Sequence, residues 1–305
     1  MSKKIWFITG ASRGFGRIWT EAALGRGDQV AATARQVSDI TDLKERFGDA
    51  VLPLSLDVTN AEQVKRSVQQ AHAHFGRLDV VVNNAGYSLV GMVEEASEAE
   101  VRAMFDTNYF GALRVIQAAL PLMRQQGSGH ILGVSSTVGL VATPIIGHYC
   151  ASKWAFEALH ESLAQEIKLF GIAVTLIEPG AYATEFGGPA SLKIAAGMDI
   201  YDELRQDIFG LLRGEKRGDP QATAKAILEI VDTQNPPLRL ILGDTGLPTV
   251  RSAFESRLAT WEAWASVSNA AQGEPEQYSV STRVTRQVCG GEAATNLGNA
   301  VTNTV

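Results

Sequence analysis

Residues 5–16 read Ile5-Trp6-Phe7-Ile8-Thr9-Gly10-Ala11-Ser12-Arg13-Gly14-Phe15-Gly16. Four apolar residues lead into a polar turn with three glycines, and helical periodicity follows over 16–26. A short apolar run bounded by glycine reads as a buried strand. Glycines at a strand-to-helix turn let the backbone approach a pyrophosphate closely, and the helix N-terminus beyond offers unpaired N–H groups and partial positive charge. A plain tight turn is the competing reading of these residues taken alone.

The same alternation continues outward. Apolar runs at 29–34, 51–56, 80–83, 130–135, 173–179 and 238–242 read as strands, several of them apolar on both faces. Such strands need cover on both sides. Helical stretches at 39–47, 61–75, 98–124, 149–170 and 220–232 lie between them. Strand–helix alternation of this kind predicts an α/β fold: a Rossmann-type, doubly wound parallel sheet of about seven strands in three layers, α/β/α. Residues 1–268 read as one catalytic domain. Within it, 181–218 breaks the rhythm as an insertion placed to cover a substrate. Residues 247–267 can form a helix bearing Trp261 and Trp264. From about 269 to 305 the chain is polar and aperiodic, and a poorly ordered tail is expected.

Composition excludes several classes. The 305 residues are 45% hydrophobic and 20% charged, with 27 Lys plus Arg against 33 Asp plus Glu, a net charge of −6. That balance argues against non-specific nucleic-acid binding. Two cysteines, Cys150 and Cys289, make no disulfide framework. The apolar run at 5–8 is too short for a signal-peptide core, and no stretch reaches the length of a membrane span. A cytoplasmic protein without a membrane partner is the expectation. The histidines form no metal-ligand spacing with cysteines or carboxylates, so no metal is expected.

The second strand ends Thr33-Ala34-Arg35. In NAD-selective folds an acidic residue near this place binds the ribose 2′-hydroxyl. Arg35 stands there instead, and Arg13 lies in the glycine turn. Each alone reads equally well as a solvated surface charge. Together they suit a 2′-phosphate and favour NADP(H) over NAD(H).

Tyr149-Cys-Ala-Ser-Lys153 opens a long helical stretch. Residues four apart share a helix face. A lysine cation there favours phenolate and lowers the tyrosine pKa from its free value near 10. Taken alone, such a pair usually carries no chemistry. Here it occurs in order with Thr9-Gly10-x-x-x-Gly14-x-Gly16, Asn83-Asn84-Ala85-Gly86 and Ser136.

With that motif set the chain resembles the short-chain dehydrogenase/reductase family over about residues 3–267. Within the family, Ala32-Thr33-Ala34-Arg35 and Asn83-Asn84-Ala85-Gly86-Tyr87 look most like the hydroxysteroid and retinol dehydrogenase-like branch. The resemblance implies an oxidoreductase that moves a hydride between NADP(H) and a carbonyl or secondary alcohol. It casts Tyr149 as the acid/base, Lys153 as its partner and ribose ligand, Ser136 as the substrate-polarising hydroxyl and Asn108 as support for a relay water. Gly10, Ser12, Arg13, Gly14, Phe15 and Gly16 would hold the dinucleotide phosphates, and Arg35 the 2′-phosphate. Asp57 and Val58 would meet the adenine, and Asn84, Ala85 and Gly86 would flank the cofactor. Pro179, Gly180 and Thr184 would hold the carboxamide. Tyr182 and Phe186 are candidates to line the substrate pocket with Ser136 and Tyr149. The family also implies a homodimer or homotetramer. Gly133 stands where many members carry asparagine. Cys150 and Trp154 read as packing residues, and His148 as a residue outside the chemistry. Two other readings stay open: a dinucleotide-binding regulator without turnover, and a sugar-nucleotide epimerase or dehydratase.

Overall fold

The computed structural model describes residues 3–188, 191–213 and 216–274. The strands are β1 (Ile5–Ile8), β2 (Gln29–Ala34), β3 (Val51–Ser55), β4 (Val80–Asn83), β5 (Ser88–Val90), β6 (Gly129–Val134), β7 (Ile172–Pro179), β8 (Leu192–Ile194) and β9 (Arg239–Leu242). Seven of them form one parallel sheet in the order β3-β2-β1-β4-β6-β7-β9. Ile8 is in register with Ala32 on one side and Val82 on the other. The chain therefore starts in the middle of the sheet and winds out both ways. The order reverses between β1 and β4, and a crevice opens beyond the strand ends at such a point.

Side chains of a strand alternate between faces, and the core follows that rule. Trp6 and Ile8 pack on one side, against Ile18, Trp19, Ala23 and Leu24 of α1 (Gly14–Gly25), Leu43 of α2 (Thr41–Phe47) and Ile227 of α8 (Thr223–Asp232). Ile5 and Phe7 pack on the other, with Val64 and Val68 of α3 (Ala61–Phe75), Val115 and Ile116 of α5 (Gly111–Gln126) and Leu163 and Ile167 of α6 (Gly147–Ile167). Two apolar clusters with the sheet between them make three layers, α/β/α. This is the Rossmann-type architecture that the alternation predicts.

Two features depart from the expected elements. The helix predicted over 98–124 is two helices, α4 (Glu98–Phe105) and α5, joined by a π turn at Asp106–Phe110. Ser97 and Glu100 form a capping box at the start of α4, and Gly127, at φ 71°, ends α5. In addition, β5 pairs with β8 in a second, two-stranded parallel sheet. The expected insertion thus contributes a strand, and it continues into α7 (Asp202–Arg213).

The chain divides into two compact units, Met1–Ala253 and Phe254–Val305. The boundary falls inside α9 (Gly246–Ala263), upstream of residue 268. In the second unit the described residues are the rest of α9 and α10 (Ala265–Ala270), where Trp261 and Trp264 are exposed. The expected tail begins within α10, and from 275 onward it lies outside the described residues. Among the described residues no helix is long and apolar enough to cross a membrane.

Candidate active site

The glycine turn is built around Thr9 and Asn84. Thr9 Oγ1 accepts the N–H groups of Asn84 (2.9 Å) and Ala85 (3.0 Å) and donates to the carbonyl of Val82 (3.1 Å). Asn84 Nδ2 donates to the carbonyls of Thr9 (2.8 Å) and Gly10 (3.0 Å). This clamp leaves no room for a side chain at Gly16. A Cβ on Gly16 would lie 2.3 Å from the carbonyl oxygen of Gly10 and 2.5 Å from Asn84 Nδ2. Gly10 (φ 68°) and Gly14 (φ 55°) adopt the left-handed conformation that glycine takes without cost.

The residues present fit a dinucleotide pyrophosphate. Arg13 is the N-cap of α1, no side chain caps that end, and no acidic residue lies in its first turn. The leading N–H groups of α1 are thus left without a side-chain acceptor, and negative charge is favoured there. Phe15 stacks on Trp19, with ring centroids 5.3 Å apart.

Arg35 is exposed just past the end of β2, and its side chain has no partner among the described residues. Arg13 is engaged: its Nε (3.3 Å) and Nη2 (3.1 Å) donate to Ser191 Oγ, tying the glycine turn to the segment ahead of β8. Asp57 Oδ1 accepts from the backbone N–H (2.9 Å) and hydroxyl (2.7 Å) of Thr59, which closes the turn after β3. Val58 is buried against Gly111, whose Cβ would come within 2.7 Å of it.

The catalytic candidates lie at the ends of β6 and β7 and in the first turns of α6. Ser136 follows β6; its hydroxyl donates to the carbonyl of Pro179 (3.3 Å) and accepts from the N–H of Val138 (3.4 Å). Tyr149 and Lys153 are both buried. Lys153 Nζ donates to the carbonyl of Val134 (2.8 Å) and lies 5.8 Å from the centre of the Tyr149 ring. Burial raises the Tyr149 pKa, the charge of Cys150 adds to that, and a hydrogen bond with Ser136 opposes it. Burial also lowers Lys153 to about 8, against the attraction of Glu157. In both groups desolvation is the largest cause, and it disfavours the charged form of each.

The π turn places Asn108, 1% exposed, beside this pair. Its Oδ1 accepts the N–H of Tyr87 (3.0 Å), and its Nδ2 donates to the Tyr87 carbonyl (2.9 Å) and to Ser152 Oγ (3.1 Å). Ser152 in turn donates to the carbonyl of Tyr149 (2.8 Å). A Cβ on Gly86 would lie 3.1 Å from Asn108 Oδ1 and 3.8 Å from Lys153 Nζ, so these three converge.

The other candidates divide. Phe186 stands by Tyr149, with centroids 5.8 Å apart. Tyr182 lies edge-on to Phe15 (5.3 Å) and is bridged to Gly218. Thr184 caps the turn Glu185–Gly187 and faces Gly14, and the N–H of Gly180 donates to the carbonyl of Leu242 (3.2 Å). Trp154 is 41% exposed and donates from Nε1 to the carbonyl of Val138 (3.1 Å), bracing the loop after Ser136 instead of packing in the core. Sequence reasoning missed Thr9 as the pivot of the turn, Ser152 as the link from Asn108 to the Tyr149 helix, and Ser191 as the partner of Arg13. The threonine before Gly10 and the serine between Tyr149 and Lys153 were visible signals. Nothing in the sequence joins residue 191 to residue 13.

A glycine turn at the sheet's switch point, with buried Tyr149 and Lys153 on α6 and half-buried Ser136 after β6, is the arrangement on which the comparisons with known proteins bear. The short chain dehydrogenase family profile matches residues 4–194. The chain is 39% identical over 269 residues to Oxidoreductase BOA17 of Botryotinia fuckeliana, covering 87% of this chain and 98% of that protein. A short-chain dehydrogenase from Streptomyces avermitilis superimposes with a TM-score of 0.82 at 38% identity, covering 88% of this chain and 98% of that one. An alcohol dehydrogenase from Thermococcus sibiricus, complexed with 5-hydroxy-NADP, does so at 0.65 and 29%, covering 79% and 96%. The chain belongs to the short-chain dehydrogenase family.

Proposed function

We propose that the protein reduces a carbonyl compound, or oxidises the matching secondary alcohol, with NADP(H). The observation that carries this is the convergence of Ser136, Tyr149 and Lys153, two of them buried, next to a cradle that fits a dinucleotide. A nicotinamide dinucleotide held at the glycine turn of Gly10, Gly14 and Gly16 would supply or accept the hydride. Ser136 and Tyr149 donate hydrogen bonds to the substrate oxygen and stabilise the negative charge that grows on it. Tyr149 then gives up its phenolic proton, so the carbonyl gains one hydride and one proton and leaves as the alcohol. The raised pKa of Tyr149 keeps the phenol protonated until an alkoxide, a far stronger base, forms beside it. Lys153 holds positive charge near the phenolate left behind, and Asn108 supports the water that returns its proton. Phe186 and the 181–218 segment exclude solvent.

The preference for NADP(H) rests on Arg35, with Arg13 in support. The exposed Arg35 guanidinium follows β2 where an NAD-selective fold carries a carboxylate. The Thermococcus relative's 5-hydroxy-NADP complex is in keeping with that reading. We also propose that the catalytic domain spans 1–268, that the protein is a cytoplasmic homodimer or homotetramer, and that it lies nearest the hydroxysteroid and retinol dehydrogenase-like branch.

The deciding experiment follows nicotinamide absorbance across a panel of ketones, aldehydes and alcohols with both cofactors. Turnover that disappears in Tyr149→Phe supports the proposal. Cofactor binding without turnover across the panel overturns it in favour of a sensor. Epimerised product with no net cofactor change overturns it in favour of a sugar-nucleotide enzyme.

A further inference from the structure

Behind the catalytic pair lies a set of buried charges with no part in the chemistry above. Tyr149, Lys153, Glu157 and Glu161 follow one another at spacings of four along α6, and residues four apart are neighbours on a helix. Glu157 is 4% exposed and Glu178, in β7, is 1% exposed. Arg239, the first residue of β9, joins them. Its Nη1 donates to Glu157 Oε2 and to Glu178 Oε1 (2.8 Å), and its Nη2 donates to Glu161 Oε2 (2.6 Å). The Glu157 carboxylate also reaches the loop that carries Ser136. A Cβ on Gly139 would lie 2.7 Å from Ser135 Oγ and 3.1 Å from Glu157 Oε1.

The charges balance: Lys153 and Arg239 against Glu157 and Glu178, with Glu161 at the solvent edge. Buried charges persist when they are paired. Among the described residues, Lys153 Nζ donates to the carbonyl of Val134 and makes no ion pair within 4 Å. Glu157 is the carboxylate one helical turn away from it.

We propose that Glu157 is a positioning residue: it supplies the counter-charge that holds Lys153 as an ammonium beside Tyr149, and Arg239 fixes the Glu157 carboxylate in that place. This rests on the reading of Lys153 as the partner of the catalytic tyrosine. The electrostatics run in the required direction. Burial lowers Lys153, and Glu157 is the group that raises it. Burial raises Glu157, while Ser135, Arg239 and Lys153 lower it. Glu178 is pushed up to about 7, first by burial and then by Glu157. His160, from α6, is held neutral by burial at about 4 and adds no competing cation above that. Asn108, from the π turn, is uncharged.

The test titrates the lysine itself in the full chain without cofactor. Protein labelled with 13C at lysine Cε is titrated by NMR, and the Lys153 signal is assigned by its loss in Lys153→Arg. Glu157→Gln is expected to lower the Lys153 midpoint by about one pH unit, a tenfold loss of proton affinity. Glu157→Asp keeps the charge and is expected to restore at least half of that shift. If Glu157→Gln does not fold, Glu157→Gln/Arg239→Gln removes both charges together and is expected to move the midpoint the same way. An unchanged midpoint in a folded neutral variant, with only the melting temperature reduced, overturns the proposal and leaves Glu157 a packing residue. The high-pH limb of kcat/KM should shift downward in parallel. Absence of turnover in the wild type would count against the proposed reaction alone, since the titration still decides the role of Glu157.

Discussion

Lys153 donates to the main-chain carbonyl of Val134, 2.8 Å away, on the last residue of β6. Two residues later the same strand delivers Ser136. The helix that carries the phenol and the strand that carries the serine are thus pinned to each other by the third member of the group, and displacement of either element misaligns all three.

Burial of that ammonium gives a pH signature. Lys153 titrates near 8 in the folded protein and near 10.5 when unfolded. Between those values the unfolded chain binds more protons, so this group's contribution to stability rises with pH; below about 8 both states are charged and the contribution is flat. The raised Tyr149 acts oppositely above about 10, where only the unfolded phenol ionises. Thermal melts at matched ionic strength between about pH 8 and 10 should show a more positive slope of Tm with pH in the wild type than in Lys153→Met. Equal slopes would mean that Lys153 is not desolvated.

Tyr149→Phe removes the proton donor without changing the ring that faces Phe186. Loss of general acid catalysis is expected to lower kcat at least about 10²-fold. A fluorescence titration should find cofactor affinity retained. Near-normal turnover in the folded variant would assign the proton to another group.

Much of this was legible in the sequence because it rests on local rules. Trp6 and Ile8 against Ile5 and Phe7 announce a strand covered on both faces, and the glycines at 10, 14 and 16 announce the turn that follows. Tyr149 and Lys153 lie one helical turn apart wherever that helix goes. The π turn was not legible: Asp106–Phe110 has ordinary helix-compatible residues, and the extra residue is accommodated by how Asn108 fits under Tyr87. The β5–β8 pairing was hidden because both strands are three residues long and far apart in the chain. Glu157, Glu178 and Arg239 each look like surface charges until the fold brings them together. The burial of Tyr149 and Lys153 was hidden for a related reason, since spacing reports a neighbour and burial is a property of the whole fold.

Arg35 tests the cofactor reading. Arg35→Asp places a carboxylate after β2, which repels a 2′-phosphate and can accept hydrogen bonds from ribose hydroxyls. A charge-assisted hydrogen bond contributes roughly 1.5–3 kcal/mol, and solvent exposure keeps the effect at the low end, so about a tenfold change is expected. The kcat/KM ratio for NADP(H) over NAD(H) should fall at least that far, more so at low salt. A wild-type preference for NAD(H), or an unchanged ratio, would show that Arg35 does not meet the cofactor.

Two glycine substitutions should part in sign. At Gly16 an added methyl would meet the Gly10 carbonyl and Asn84, and the backbone group can retreat only if the turn opens. Gly16→Ala is expected to cost about 1–3 kcal/mol and to weaken cofactor binding. Gly210, in α7, has nothing within 4 Å of the same position. Gly210→Ala should therefore be neutral or stabilise by up to about 1 kcal/mol. Denaturant midpoints of both variants check the pair, and equal losses would contradict the packing described for the turn.

The π turn has a consequence for how this gene can change. It carries one residue more than the α turn it replaces, and each helical residue advances the chain by about 100°. Deleting a single codon within 106–110 would let the helix close up as regular α-helix. Because the turn already absorbs that extra residue, such a deletion would leave Val115, Ile116, Ala119 and Met123 on the sheet face they now cover, and would instead remove the local geometry that presents Asn108 to Tyr87. In the regular stretches Glu98–Phe105 and Gly111–Gln126, by contrast, losing one residue would turn everything beyond it by about 100°, so this gene can shorten the segment at the π turn without unseating the core and nowhere else along it.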